Sequence, residues 1–265
     1  MRRIVTLLTD FGTADGFVGA MKGVVLSRAP DARVIDLTHE IPPHDVRCGA
    51  WALREASRTF PVNTIHVAVV DPGVGTERRP ILVASRGQLY VGPDNGLLSL
   101  AAPRGDGDAF LLDQPALHRQ EASRTFHGRD IFASVAGHLA AGLSKESCGT
   151  PISTWDCIEE PRPRKRGDSI LGEVLHSDRF GNLVTNIDRD ALQGDEDWEV
   201  TLAERSVGPL RRTFGEVGPG EWVAYLGSGG FVEVAVREGQ AASFFSTDAS
   251  VAPVSVTLCR KAVKS

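Results

Sequence analysis

The sequence predicts an α/β protein in two parts: an N-terminal α/β sandwich-type domain over residues 1–160 with a central, mostly parallel sheet, and a smaller C-terminal all-β barrel over 170–265, joined by a linker over 161–169. Three observations carry this. The first half alternates short β-branched runs with stretches of helical period, as a sheet covered by helices requires. Between about Thr150 and Gly167 the chain turns rich in proline and charge and loses periodicity, as a domain boundary does. From Ile170 onward it offers one strand pattern after another with almost no helical period, which suits a small barrel or sandwich.

The elements follow in order. Residues 4–8 read as a buried strand, and Asp15 stands where it can cap a helix in which Phe17, Met21, Val24 and Val25 recur at helical spacing before Pro30. Residues 34–37 form a second strand. A helix capped near Asp45 ends before Pro61, and 64–70 has the β-branched richness of a central strand. Residues 81–84 and 88–91 read as a hairpin. After a variable acidic-to-polar stretch, Ile131, Val135 and Leu139 mark one more amphipathic helix, closed by Gly142. In the second half, strands are expected at 171–176, 183–187, 198–202, 222–226, 231–236 and 253–258.

Composition narrows the function classes. The 265 residues are 42% apolar, enough to bury a real core, and carry a net charge of −5. An acidic balance argues against a surface built to neutralise phosphates and favours a small-molecule partner over nucleic acid. The basic run PRPRKR at 161–166 is interleaved with proline and reads as a solvated linker. Cys48, Cys148, Cys157 and Cys259 have no CxxC spacing, so neither a zinc knuckle nor a redox pair is indicated. The apolar run before Asp10 is too short for a signal peptide and no stretch approaches a membrane span, so a cytoplasmic protein is expected.

Ligands of open α/β sheets bind outside the carboxyl ends of strands, so polar residues that end strands are the first candidates. Asp10, in TDFG, could hold the two hydroxyls of a ribose, or simply start a turn. Asp71 opens DPGVGTERR, where Pro72, Gly73 and Gly75 force a tight loop and Arg78 returns a guanidinium seven residues later. The pair could position a water, or serve as a loop-closing salt bridge. The GVG is not a dinucleotide fingerprint, because GxGxxG is incomplete. His127, in TFHGRD, precedes a helix that Asp130 is placed to cap; there a neutral imidazole could accept a proton from water, or be structural. SDRFGNLVTNI puts Asp178, Phe180 and Asn182 on a turn, which suits a ligand with a charged amino-acid part and an apolar surface, or is an ordinary Asx-rich hairpin. Gly227-Ser228-Gly229-Gly230 is a plain turn or a backbone approach to a ligand.

Taken together, LLTDFGTADGFVGAMKG, DLTHEIPPHDV, VVDPGVGTERR, GPDNGLL, FHGRDIFASVAGHLA, SDRFGNLVTNI and the GSGG-FVEVAVREG segment, in that order, resemble the S-adenosyl-L-methionine hydroxide adenosyltransferases, the hydrolytic relatives of the fluorinating and chlorinating enzymes. The resemblance spans nearly the whole chain. It implies a homotrimer whose active sites lie where one subunit's N-terminal domain meets a neighbour's C-terminal domain, and hydrolysis of S-adenosyl-L-methionine at C5′ to adenosine and L-methionine. It also implies a water-handling triad of Asp71, Arg78 and His127, and a ribose-binding Asp10. Asp178 and Asn182 match methionine-binding positions, with Phe180 and Ser228 in matching places, and backbone around Glu238 is directed to adenine. No cofactor or metal is implied. Halide-using members carry Tyr and Thr in place of Asp71 and Val74 and Ser in place of Gly128; the fluorinating ones also have a long insertion where this chain has about Arg86 and Gly87, and carry Arg in place of Gly229. Two rival readings stand beside this one: a metal-dependent phosphoesterase with Asp10, Asp71, Asp94 and His127 as ligands, and a non-catalytic sensor of adenosine or S-adenosyl-L-methionine.

Overall fold

Apolar runs build a seven-stranded sheet in the first unit, Met1–Ile158; the structure, a computed structural model, describes residues 3–193, 197–245 and 254–260. Its strands are β1 (Ile4–Thr9), β2 (Arg33–Thr38), β3 (Ile65–Val69), β4 (Pro80–Ser85), β5 (Gln88–Pro93), β6 (Gly107–Leu111) and β7 (Thr150–Ile152). They lie in the order β2-β1-β3-β5-β4-β6-β7. The pairings β2-β1, β1-β3 and β3-β5 are parallel, whereas β4, β6 and β7 continue the sheet by antiparallel pairing.

Because successive side chains point to opposite faces, consecutive apolar residues of a strand feed two cores. Leu7 and Val67 bury with Met21 and Val25 of α1 (Phe17–Arg28) and with Val135 and Leu139 of α3 (Ser134–Ala140). Leu8, Ala68 and Val70 bury on the other face with Ala50 and Leu53 of α2 (Val46–Ser57). Asp45 caps α2 as expected: its Oδ1 accepts the Cys48 N–H at 2.9 Å.

Two caps differ from expectation. Asp15 does not cap α1. The first helical bond runs from Ala20 N–H to Gly16 C=O, so Gly16 is the cap residue and Asp15 stands one position too early; Val18, not the half-exposed Phe17, takes the inward place. Asp130 does not precede its helix either. A π-helical turn, Gly128–Ala133, leads into α3, and Asp130 lies inside it, 1% exposed, accepting Ser123 N–H at 2.8 Å and pairing with Arg119 and Arg129. Gly142, at φ 113°, closes α3.

The second unit, Glu159–Ser265, is a barrel. Its strands are β8 (Arg164–Arg166), β9 (Ser169–Ser177), β10 (Leu183–Asp188), β11 (Trp198–Leu202), β12 (Arg205–Arg211), β13 (Trp222–Leu226), β14 (Phe231–Val236) and β15 (Ser255–Arg260). The order β10-β14-β13-β12-β11-β15-β9 closes on itself because β9 also pairs with β10, and β8 adds to β9 at the outside. Closure leaves no edge along the seven strands. Trp198, Val200, Leu202, Val232, Val234, Val256 and Leu258 alternate inward and fill the interior.

The strand expected at 253–258 begins at Ser255; Pro253 lies outside the described residues. The solvated linker is corrected in part, since Arg164–Arg166 pair with Ser169–Leu171 as an exposed, basic edge hairpin. β6, β7 and β12 were not anticipated. β6 opens on polar Gly107 and Asp108, β7 is three residues long, and Gly208 and Pro209 inside β12 read as breakers.

Candidate active site

Adjacent parallel strands bring the two N-terminal carboxylates to one edge of the sheet. Thr9 of β1 stands opposite Val69 of β3, so Asp10 and Asp71 both emerge past the carboxyl ends, where ligands of such sheets bind. Asp10 Oδ2 accepts the His44 N–H at 2.9 Å, an anchor that fixes the carboxylate beside a residue at φ 67°.

The loop after β3 folds Arg78 back onto Asp71. The Val74 N–H donates to Asp71 C=O, and both the backbone and the hydroxyl of Thr76 donate to Gly73 C=O, which tightens the turn. Arg78 Nε donates to both carboxylate oxygens at 2.9 Å, and Nη2 donates to Oδ2 as well. Both side chains are more than nine-tenths buried. Gly75 is required here: at φ 80°, its Cβ would fall 2.9 Å from Arg124 C=O, so only glycine lets this loop close on the segment that carries His127. Arg78 Nη2 then reaches His127 Nδ1 at 2.9 Å. One guanidinium thus holds Asp71 and His127 together.

This bond decides the proton on His127. A guanidinium only donates, so Nδ1 is the acceptor, and in the neutral ring the proton sits on Nε2. The sequence left His127 either to accept a proton from water or to be structural; with Nδ1 taken by Arg78, the ring atom left to face a ligand is Nε2, which carries the proton in the neutral ring. Burial, then the Arg78 charge, push the His127 pKa below its ordinary value, against the opposing pull of Asp71 and Asp130. Arg78 Nη1 is buried with no hydrogen-bond partner among the described residues, leaving one strong donor uncommitted beside the carboxylate. Phe132 lies under the guanidinium, 5.3 Å from its carbon, and Phe11, Phe17 and Phe126 form an edge-to-face cluster with centroids 5.4–6.0 Å apart. A Cβ at Gly128 would touch Phe11 and Met21 at 3.4 Å.

Asp94, a ligand in the phosphoesterase reading, is committed elsewhere: it accepts Arg79 Nε at 2.8 Å and Asp156 N–H at 2.7 Å. Among the described residues no group of three His, Cys, Asp or Glu side chains is disposed to hold a metal.

In the barrel, Asp178, Phe180 and Asn182 share the β9–β10 turn. Asp178 Oδ1 accepts the N–H groups of Phe180 and Asn182, and Oδ2 accepts Asn182 Nδ2, each at 2.9 Å. The Asx-turn reading therefore holds as a local fact, and it leaves Phe180 74% exposed. Ser228 sits in the four-residue turn between β13 and β14, closed by Gly230 N–H to Gly227 C=O and Gly227 N–H to Phe231 C=O. Glu238 follows β14 at φ 57°. Sequence reasoning missed Tyr225 and Glu233, whose side chains bond at 2.8 Å beside the Ser228 turn, and Phe214, 57% exposed with its ring 6.1 Å from Tyr225. A signal existed: a four-residue turn at 227–230 fixes the register that sets residue 225 opposite 233.

Known proteins match this chain along most of its length. The model of the SAM hydroxide adenosyltransferase N-terminal domain matches residues 5–149, and that of the C-terminal domain matches 172–250. The chain belongs to the SAM hydroxide adenosyltransferase family. Within that family's range, it is 45% identical over 250 residues to the (R)-S-adenosyl-L-methionine hydrolase of Thermus thermophilus, covering 90% of this chain and 94% of that one. The protein of the same name from Salinispora tropica is 43% identical over 90% of this chain and 92% of its own. A fluorinase of Nocardia brasiliensis is more distant, 29% identical over 88% and 90% of the two chains. Among solved structures, an uncharacterized conserved protein from Thermotoga maritima superposes with a TM-score of 0.87 at 35% identity, covering 97% of this chain and all of that one.

Proposed function

We propose that this SAM hydroxide adenosyltransferase family member hydrolyses S-adenosyl-L-methionine to adenosine and L-methionine by attack of water at C5′. The observation that carries the reading is the Asp71–Arg78–His127 arrangement, in which one buried guanidinium bonds both partners and keeps Nη1 uncommitted. The (R)-S-adenosyl-L-methionine hydrolases at more than 40% identity support the substrate and the reaction.

The chemistry fits the residue set. A sulfonium leaves as a neutral thioether and needs no acid, so only the nucleophile needs help. Water donates to Asp71 and accepts one hydrogen bond, from Arg78 Nη1, which leaves its second lone pair free to meet C5′ in line with the breaking C–S bond, while His127 steadies the guanidinium through Nδ1. As the C5′–O bond forms and the C5′–S pair returns to sulfur, the water proton passes to the Asp71 carboxylate and then to solvent. Orientation of this kind is worth ~7–11 kcal/mol in favourable cases. Asp10 takes the ribose hydroxyls. Asp178, Asn182, Phe180 and Ser228 hold the methionine half, and backbone at Glu238 meets adenine. The reaction uses no metal or cofactor. The active assembly is a cytoplasmic homotrimer that joins the N-terminal half of one site to the C-terminal half from a neighbour. Its partner is a small molecule; no nucleic acid or membrane is involved, and no helix among the described residues is long and apolar enough to cross a membrane.

The test is incubation of metal-free protein with S-adenosyl-L-methionine in ¹⁸O-water. Adenosine labelled at the 5′ oxygen is expected. Intact substrate retained on the protein would replace this reading with the sensor, and turnover that appears only when a metal is restored would replace it with metal-assisted hydrolysis.

A further inference from the structure

The turn that carries Ser228 contains three glycines, and at one of them the reason is a particular neighbour. In an antiparallel pair a side chain meets both its direct opposite and the residue two places along on the same face. Glu233 of β14 stands opposite Tyr225 of β13, which makes Gly227 its diagonal neighbour. Tyr225 Oη donates to Glu233 Oε2 at 2.8 Å, while Oε1 occupies the space of a Cβ on residue 227, which would fall 1.8 Å from it. The carboxylate is wedged between a phenol and the backbone of the turn. Tyr225 is itself braced by the Phe214 ring at 6.1 Å.

We propose that Glu233 is a positioning residue for the amino-acid half of the substrate: fixed by Tyr225, it holds the Gly227–Gly230 turn in the one conformation that presents Ser228. The inference rests on the hydrolase reading and deepens it. Burial raises the Glu233 pKa, as does the Asp178 charge, while the Tyr225 hydroxyl opposes the shift. The Asp178 charge reaches Glu233, so the two turns assigned to the methionine side share one electrostatic neighbourhood. A side chain that sets the turn should act on methionine affinity and spare the nucleoside and the chemical step.

The test compares E233A, E233Q and Y225F with the wild type in steady-state hydrolysis of S-adenosyl-L-methionine, and in binding of L-methionine and of adenosine measured separately by calorimetry. E233A is expected to raise KM and weaken L-methionine binding about 10-fold, with kcat and adenosine binding within about twofold. E233Q, which keeps an acceptor of the same length for Tyr225, restores most of the loss. Y225F shifts the same quantities by about threefold and stands in for E233A should that variant fail to fold. Unchanged methionine binding in E233A and Y225F overturns the proposal, as does an equal loss of methionine and adenosine affinity. A wild type that binds methionine without hydrolysing the sulfonium overturns the hydrolase reading and leaves the binding comparison to judge Glu233.

Discussion

At the scale of single residues, the arrangement turns on Arg78, whose fork is divided between a carboxylate and an imidazole. Lysine, a single point charge, has no equivalent geometry. Because Arg78 occupies His127 Nδ1, protonating that atom breaks the bond and sets a second positive charge against the guanidinium. Burial and the Arg78 charge hold the His127 pKa below its ordinary value, so activity rises with pH through that lowered value. A plot of kcat/KM against pH is expected to show its acid limb below pH 6.5. A limb centred above 6.5 would mean that the ring is held in its charged form. Asp10 and Asp71 are legible from sequence because each follows a β-branched run, and Arg78 because three turn residues crowd the loop before it. The protonation pattern of His127 was not legible, since it depends on an atom 49 positions away.

At the scale of elements, β3 carries a buried histidine with no part in the site. His66 is fully buried, bonded through Nδ1 to Thr6 Oγ1 at 2.7 Å, and stacked on Tyr90 at 5.0 Å. Burial lowers its pKa from 6.5 to about 4. The unfolded chain therefore takes up this proton first as pH falls. Stability from β3 is whole above pH 6.5 and is lost progressively between 6.5 and about 4, to the order of 3 kcal/mol. Urea midpoints at pH 7 and pH 4.5 are expected to differ more in the wild type than in His66→Gln, which is weaker throughout but flatter with pH. An equal slope in both would remove His66 as the cause. The strands that sequence patterning found are those, like β3, that are β-branched and apolar. β12 escaped because its outward positions and its Gly208-Pro209 pair mimic a turn while barrel pairing supplies its hydrogen bonds. Asp130 misled for a related reason. An acid near a helix start looks like a cap, but here it is taken by two arginines and an amide.

At the scale of the whole molecule, each unit has its own core, and the residues proposed for the site divide between them: Asp10, Asp71, Arg78 and His127 in one, Asp178, Phe180, Asn182, Ser228 and Glu238 in the other. If sites join halves from different subunits, two inactive proteins complement. Asp71→Ala and Asn182→Ala, each inactive alone, are expected to regain measurable hydrolysis after being mixed, exchanged under mild denaturant and reassembled. No recovery, with subunit exchange confirmed by mass, would place each complete site within one chain. The α/β-then-barrel order was legible because periodicity changes character near residue 160. Subunit assembly has no such periodic signature.

The short β4–β5 connection has a further consequence. Arg86 and Gly87, at φ 51° and 75°, make the tight two-residue reversal that suits a hairpin's twist. The reversal lies at the start of β5, beside Asn63 and the entry to β3, whereas Asp71 leaves the far end of that same strand. The sheet therefore has a working end and a handling end. Chain added between Arg86 and Gly87 lengthens a loop at a cost that grows only slowly, about 0.6 kcal/mol for each doubling. Within this unit, such an addition leaves the Asp71 loop untouched, making the reversal a natural point of attachment for a tether or a reporter.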